Sequence, residues 1–173
     1  MPEAWLHFAV VVSVQFLLFI AHAYYAKKIS DVPRLRWQGA LIGLGMGLFY
    51  DLVIGKFFGL ASYELGFDAF FLVVNGTLSY GVFAANTLLM QQARLRDILA
   101  WIVVLTAVYE IVNYFFRVWT WHFHHLLAFS SLIEFLIVLL FGYFTGAIFV
   151  AALSRIFFGK HFAFLETTLK KSL

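Results

Sequence analysis

Apolar runs of about twenty residues recur along this chain, each broken by a short cluster of charged or turn-forming residues. A helix that crosses the hydrocarbon core of a bilayer needs roughly 20 mostly apolar residues. On that spacing the pattern predicts five spans: Ala4–Tyr25, Gly39–Ala61, Phe67–Met90, Ile98–Trp119 and Leu126–Ser154. The last is long enough to tilt or to run past the membrane. The connections are too short to hide a soluble domain, and no repeat or low-complexity linker interrupts them. The expectation is a single all-α domain over residues 1–173, a polytopic membrane bundle of five transmembrane helices. The tail from Arg155 to Leu173 mixes Phe157, Phe158, Phe162 and Phe164 with Lys and His, which suits a C-terminal helix lying on the membrane surface.

Composition agrees with the pattern. Hydrophobic residues make up 64% of the 173 and charged residues only 12%, too much apolar surface for one soluble core of this size. Cations cluster in alternate connections. Lys27, Lys28, Arg34 and Arg36 lie in the first, Arg94 and Arg96 in the third, and Arg155, Lys160, Lys170 and Lys171 in the tail, whereas the second and fourth hold only Lys56 and Arg117. Lys and Arg stay on the cytoplasmic side, so the N-terminus is expected outside and the C-terminus inside, most simply in a prokaryotic cytoplasmic membrane. The net charge of +3 is then a topology signal rather than a nucleic-acid patch. Ala21-His22-Ala23 has the small-x-small form of a signal-peptidase site, but the extreme N-terminus carries Glu3 and no cation, so the first helix is expected to stay.

Several polar residues sit where lipid rejects them. At 1.5 Å per residue, Asp51 and Glu110 lie about twelve residues from the cytoplasmic edge of their spans, and Asn75 and Glu134 about eight from the outer edge of theirs. All four fall roughly 18 Å up a slab about 30 Å thick. A carboxylate there costs a few kcal/mol and normally faces a partner, the bundle interior or a water-filled cavity. Asp51, Glu110 and Glu134 are therefore candidate acids and bases, with hydrogen bonding between helices as the structural alternative. If the helix bearing Glu110 continues, Asn113, Arg117, Trp121 and His124 follow on the same side, as a wall opening outward. On this reading Asn75 and Asn113 orient the acids and Arg117 tunes Glu110. The plainer reading of Arg117, the tryptophans and the histidines is an outer interfacial belt.

His122, His124 and His125, with nearby acids, raise zinc or iron as a possible cofactor, but no His-Glu-x-x-His or Glu-x-x-His spacing is present, and a metal-free site is the expectation. The absence of cysteine removes thiolate chemistry. Ser130 and Ser131 near His125 lack the Gly-x-Ser-x-Gly setting of a serine hydrolase. Gly39, Gly43 and Gly47, and also Gly142 and Gly146, form small stripes suited to close helix packing, while Gly55 and Gly59 are placed to bend the helix beyond Asp51.

With 22 Phe, a cavity around these acids would be walled by aromatic faces, suited to protonating an isoprenoid double bond and guiding the cation. The order Asp51, Gly55, Gly59, Tyr63, then Asn75–Gly81 (NGTLSYG, with Tyr80), then Tyr109-Glu110 ahead of Trp119–Trp121, resembles in outline the small carotenoid-pathway membrane enzymes, the lycopene-cyclase-domain and carotenoid-hydratase types. The likeness covers about residues 45–125. The Pro-x-Glu-Glu element of the cyclase domain is absent, with Val74 and Asn75 near its place, so the resemblance implies only Asp51 and Glu110 as acids, and an isoprenoid ligand. Three classes of function stand open at this point: an enzyme acting on a lipid or isoprenoid, a solute- or ion-binding transporter subunit, and an accessory subunit that meets a pigment or partner in a homo-oligomer or larger membrane complex.

Overall fold

A computed structural model describes residues 2–122 and 132–165, without the side chains at 106, 110, 114, 121 and 132–139. The chain is overwhelmingly helical. Helix α1 spans Pro2–Tyr25, and α2 spans Val32–Phe49 and continues as a π-helical segment over Tyr50–Phe57. A three-residue strand, β1 (Ala61–Tyr63), follows. The next helix comes in three pieces: α3 (Ala69–Asn75), a second π-helical segment over Gly76–Tyr80, and α4 (Gly81–Leu89). Then come α5 (Leu95–Phe116), strand β2 (Trp119–Trp121) and α6 (Leu132–Phe158).

Four of these stretches are long and apolar enough to cross a membrane: Pro2–Tyr25, Ile29–Phe57, Ala69–Leu89 and Leu140–Phe158. Their outward faces show why lipid suits them. Phe70 is 68% exposed, and Leu17, Leu41 and Phe141 also stand on the surface. So much large apolar surface is stable only where the surroundings are themselves apolar.

The tightest packing joins α2 to the α3–α4 helix along the glycine stripe. A Cβ on Gly39 would lie 2.5 Å from the carbonyl oxygen of Gly81, and one on Gly47 would lie 2.6 Å from the Cα of Gly76. Side-chain-free surfaces let the two backbones touch. Gly146 also sits in close packing, against Met46 and the Phe83 ring, but Gly142 has no neighbour within 4 Å and opens onto a cavity. The main core gathers Phe19, Ile42, Met46, Phe83, Leu88 and Leu105, among others, and a smaller cluster of Phe8, Val11, Phe71 and Val118 lies beneath the strands.

Three boundaries differ from the sequence reading. The second span does not reach Ala61 as helix. It widens at Tyr50 and stops at Phe57, with Gly59 in the left-handed region at φ +66, a conformation glycine adopts without strain. The fourth helix ends at Phe116 and does not continue toward His124. Arg117 turns left-handed at φ +51, its N–H bonds the Asn113 carbonyl, and the Asn113 side chain takes up both the N–H and the C=O of Trp119, at 3.0 and 2.9 Å. Residues 119–121 then pair antiparallel with β1, Ser62 opposite Thr120 and Tyr63 opposite Trp119. Finally, α6 stops before Gly159, at φ +61, and Phe162 and Phe164 are buried in the main core. They fold back because the Ala163 N–H bonds the carbonyl of Gln91, at the turn between α4 and α5. The remainder of the expected surface helix, 166–173, lies outside the described residues.

Candidate functional site

Asp51 occupies the first turn of the first π-helical segment and is completely buried. Three side chains grip its carboxylate. Tyr63 donates to Oδ1 at 2.5 Å, Tyr80 donates to the same oxygen at 2.9 Å, and the Asn75 amide donates to Oδ2 at 2.9 Å. The two tyrosine oxygens are 3.4 Å apart. Among the described residues no Lys, Arg or His pairs with Asp51. Hydrogen bonds to a charged group are worth about 1.5–3 kcal/mol each, so three of them offset much of the cost of holding a carboxylate in the bundle.

Each partner reaches Asp51 through a separate local device. Asn75 and Tyr80 flank the second π-helical segment, on the helix that faces the glycine stripe. A π turn adds a residue to the helical cycle, which rotates the following side chains relative to an ordinary α-helix and leaves carbonyl groups to be satisfied. Thr77 covers the Val73 and Val74 carbonyls at 2.8 and 3.3 Å, and Arg36 donates to the Thr77 carbonyl at 2.9 Å. Tyr63 is carried in from the far side by β1. The strand is held by its pairing with β2, by the Glu64 N–H to the Val118 carbonyl and by the His122 N–H to the Leu60 carbonyl. Burial holds the Tyr63 phenol well above its ordinary pKa, and the neighbouring Asp51 charge adds to this, so Tyr63 is a neutral donor at physiological pH.

Tyr63, Asn75 and Tyr80 also stand in the wall of a cavity of about 430 Å³. Its other walls are mostly apolar and aromatic: Phe49, Tyr50 and Ile54 from α2 and its extension, Phe83 from α4, and Phe141 and Tyr143 from α6. Leu60, Tyr63 and Trp119 close it at the end of the bundle that carries the strands. Phe49 and Phe141 line the cavity and are also exposed on the bundle surface, so part of its rim lies between α2 and α6. Asp51 itself does not line it. Its three partners, Tyr63, Asn75 and Tyr80, do.

Of the residues singled out in the sequence, the structure brings Asp51, Asn75 and Tyr80 into direct contact. Asn113 is committed at both ends of its amide to the Trp119 backbone and shapes the loop instead of orienting an acid. Arg117 is an exposed helix terminator. Glu110 lies on α5 and Glu134 on α6, and Trp121 in β2, but their side chains are outside the described residues, as are His124 and His125 entirely. The stripe expected to run from Glu110 to His124 is not a helical face, because the helix stops at Phe116. His122 is engaged with the Ser62 hydroxyl at 2.8 Å, and no cluster of three metal-ligating side chains occurs among the described residues.

Gln15, Tyr109 and Trp119 are not singled out by the sequence pattern as residues lining the site, yet all three line the cavity. Gln15 carries a signal: it is a lone amide in the middle of an apolar helix, and it donates to Ser79 at 3.2 Å. Tyr63 reaches Asp51 only through the strand pairing, which no local pattern announces.

No protein-family model, curated protein or solved structure matches this chain.

Proposed function

We propose that this is a membrane-embedded enzyme that acts on a lipid or isoprenoid by acid–base chemistry. One observation carries the reading: a fully buried carboxylate held by two tyrosines that line an aromatic-rich cavity. A bound molecule meets a phenol first. Tyr63 or Tyr80 exchanges a proton with the ligand while Asp51 takes or returns the phenol's own proton over a single hydrogen bond, and Asn75 steadies the second carboxylate oxygen. The aromatic wall suits a cationic intermediate, and the rim between α2 and α6 suits entry from the bilayer. The outline likeness to carotenoid-pathway enzymes supports an isoprenoid. We further propose that α5 is a fifth crossing, that the end with the strands faces outward, and that the cation-rich end, with the C-terminus, is cytoplasmic.

Hydrogen exchange into whatever the cavity holds tests this without first identifying the substrate. The detergent-purified protein is incubated in D2O, and its co-purifying lipid is extracted and analysed by mass spectrometry. An isoprenoid or lipid that gains carbon-bound deuterium with the wild type, but not with Asp51→Asn or Tyr63→Phe, is the expected result. A retained ligand without deuterium would make the protein a binding or accessory subunit. Gly142→Leu places a side chain into open cavity space and should empty the preparation of ligand. Ligand retained at the wild-type level in that variant would put the binding site elsewhere.

A further inference from the structure

The end of the bundle opposite the strands draws cations from three separate segments into one region. Helix α1 ends on Lys27, left-handed at φ +53, with the Lys27 N–H on the Tyr24 carbonyl at 3.0 Å and the Lys28 N–H on the Ala23 carbonyl at 2.8 Å. That pair of bonds is a Schellman cap, and it fixes where Lys28 leaves the helix. The Asp31 N–H then bonds the Lys28 carbonyl at 3.0 Å, and the Asp31 carboxylate lies 3.5 Å from Arg34 in the first turn of α2. Helix α6 arrives from the other side. Its last residue, Phe158, packs against Trp37, one turn beyond Arg34, with 6.0 Å between ring centroids. Gly159 turns the chain at φ +61, and the Lys160 N–H bonds the Ser154 carbonyl at 3.2 Å. Lys28, Arg34 and Lys160 are thus neighbours.

Their charges are not balanced. Three cations meet one acid, Asp31, for a net of +2 (3 − 1). Asp31 pairs with Arg34, and neither Lys28 nor Lys160 comes within ion-pair distance of a carboxylate among the described residues. Both lysines are also half-buried, where a lysine is ordinarily solvated. Burial and then the nearby Arg34 charge lower the Lys160 pKa; Lys28 adds to this and Asp31 opposes it. Helix C-termini favour cations, but exposed side chains meet that preference and need not be held beside like charges. An anion among the three would relieve the repulsion.

The surroundings indicate which anion. Tyr24, Tyr25, Trp37 and Phe157 stand exposed around this end, and exposed aromatic rings gather where hydrocarbon gives way to headgroups. The cluster therefore lies at the level of the lipid phosphates. We propose that Lys28, Arg34 and Lys160 form a binding site for the headgroup of an anionic phospholipid. It shares no residue with the lining of the cavity, so it stands or falls apart from the enzymatic reading.

The test titrates the delipidated full-length protein, in detergent, with palmitoyl-oleoyl phosphatidylglycerol or with phosphatidylcholine of the same chains, and native mass spectrometry reads the binding. Each Lys or Arg near an anionic lipid is worth roughly a factor of five, so the wild type should prefer phosphatidylglycerol by at least about tenfold. Lys28→Gln combined with Lys160→Gln should cut the preference to about twofold or less. Each single variant should lose roughly fivefold, which keeps the test decisive if the double variant does not fold. Arg96→Gln is the control: its guanidinium pairs with Asp97 at 3.4 Å, and its removal should leave the preference intact. Equal binding of the two lipids by the wild type, or an unchanged preference in the folded lysine variants, would overturn the proposal. A loss in Arg96→Gln as large as in the double variant would do the same, because overall charge would then account for the effect. Displacement of phosphatidylglycerol by millimolar inorganic phosphate would also overturn it and assign the cluster to a free anion.

Discussion

Replacing Gly43 by alanine is the sharpest probe of how this fold builds its site. The new methyl would meet the backbone N and Cα of Gly81, the latter at 2.5 Å, and the carbonyl oxygen of Gly76 at 2.6 Å. Ordinary contacts of this kind begin near 3.4 Å, so the facing helix must retreat by at least about 0.9 Å. Backbone atoms on both sides leave no rotamer change to absorb the clash. Overpacking of this sort costs about 1–3 kcal/mol. The retreat also reaches the site, because Gly76 follows Asn75. A shift of the same size would stretch the 2.9 Å Asn75–Asp51 bond to about 3.8 Å, beyond hydrogen-bonding range. Losing a bond to a charged, buried group adds about 1.5–3 kcal/mol, for a total of about 2.5–6 kcal/mol. Gly45 on the same helix is the control. A Cβ there meets nothing within 4 Å, so Gly45→Ala should be neutral or stabilise by up to about 1 kcal/mol through helix propensity. Unfolding of both variants in mixed micelles titrated with SDS, followed by tryptophan fluorescence, measures the difference. A Gly43→Ala midpoint at or above that of Gly45→Ala would refute the claim that backbone contact along this stripe positions Asn75 against Asp51.

Two further outcomes are expected. Asn113→Ala removes both hydrogen bonds that pin the Trp119 backbone, so the β1–β2 pairing should loosen, with faster proteolysis near Trp119 and a stability loss of about 1–3 kcal/mol; unchanged cleavage would mean that the strand pairing holds the loop by itself. The raised pKa of Tyr63 gives stability that is complete below about pH 10, the unfolded tyrosine value, and is lost as pH climbs from there toward the higher folded value. Unfolding midpoints measured from pH 8 upward should therefore fall above about pH 10 in the wild type and fall less steeply in Tyr63→Phe; identical alkaline slopes would show that Tyr63 is not the group responsible.

The two π-helical segments flank one carboxylate from two helices. Asp51 lies in the first, and Asn75 and Tyr80 bracket the second. Irregular helix geometry inside a bilayer requires protein groups to satisfy the freed carbonyls, as Thr77 and Arg36 do here. π turns inside α-helices recur at functional sites in proteins generally, and here both helices that meet at Asp51 carry one.

Much of this was legible from the residues alone. Membrane residence followed from the length and purity of the apolar runs, because hydrophobic burial depends on composition summed along a helix and hardly on its neighbours. The intramembrane level shared by Asp51 and Asn75 followed from counting at 1.5 Å per residue, and the glycine stripe from its spacing of four. Tertiary structure alone decided the rest. The apolar pattern around Tyr50 and Gly76 is broken only by Asp51 and Asn75, and neither marks where an α-turn opens into a π-turn. Helical periodicity also carried the fourth helix past Phe116, whereas its end is set by an Asn113 side chain that competes for the backbone of Trp119. Tyr63 joins Asp51 through strand pairing between segments nearly sixty residues apart in sequence. Hydrophobic periodicity reports which medium a residue faces; which polar groups touch depends on backbone hydrogen bonds made between distant segments, and those exist only once the chain has folded.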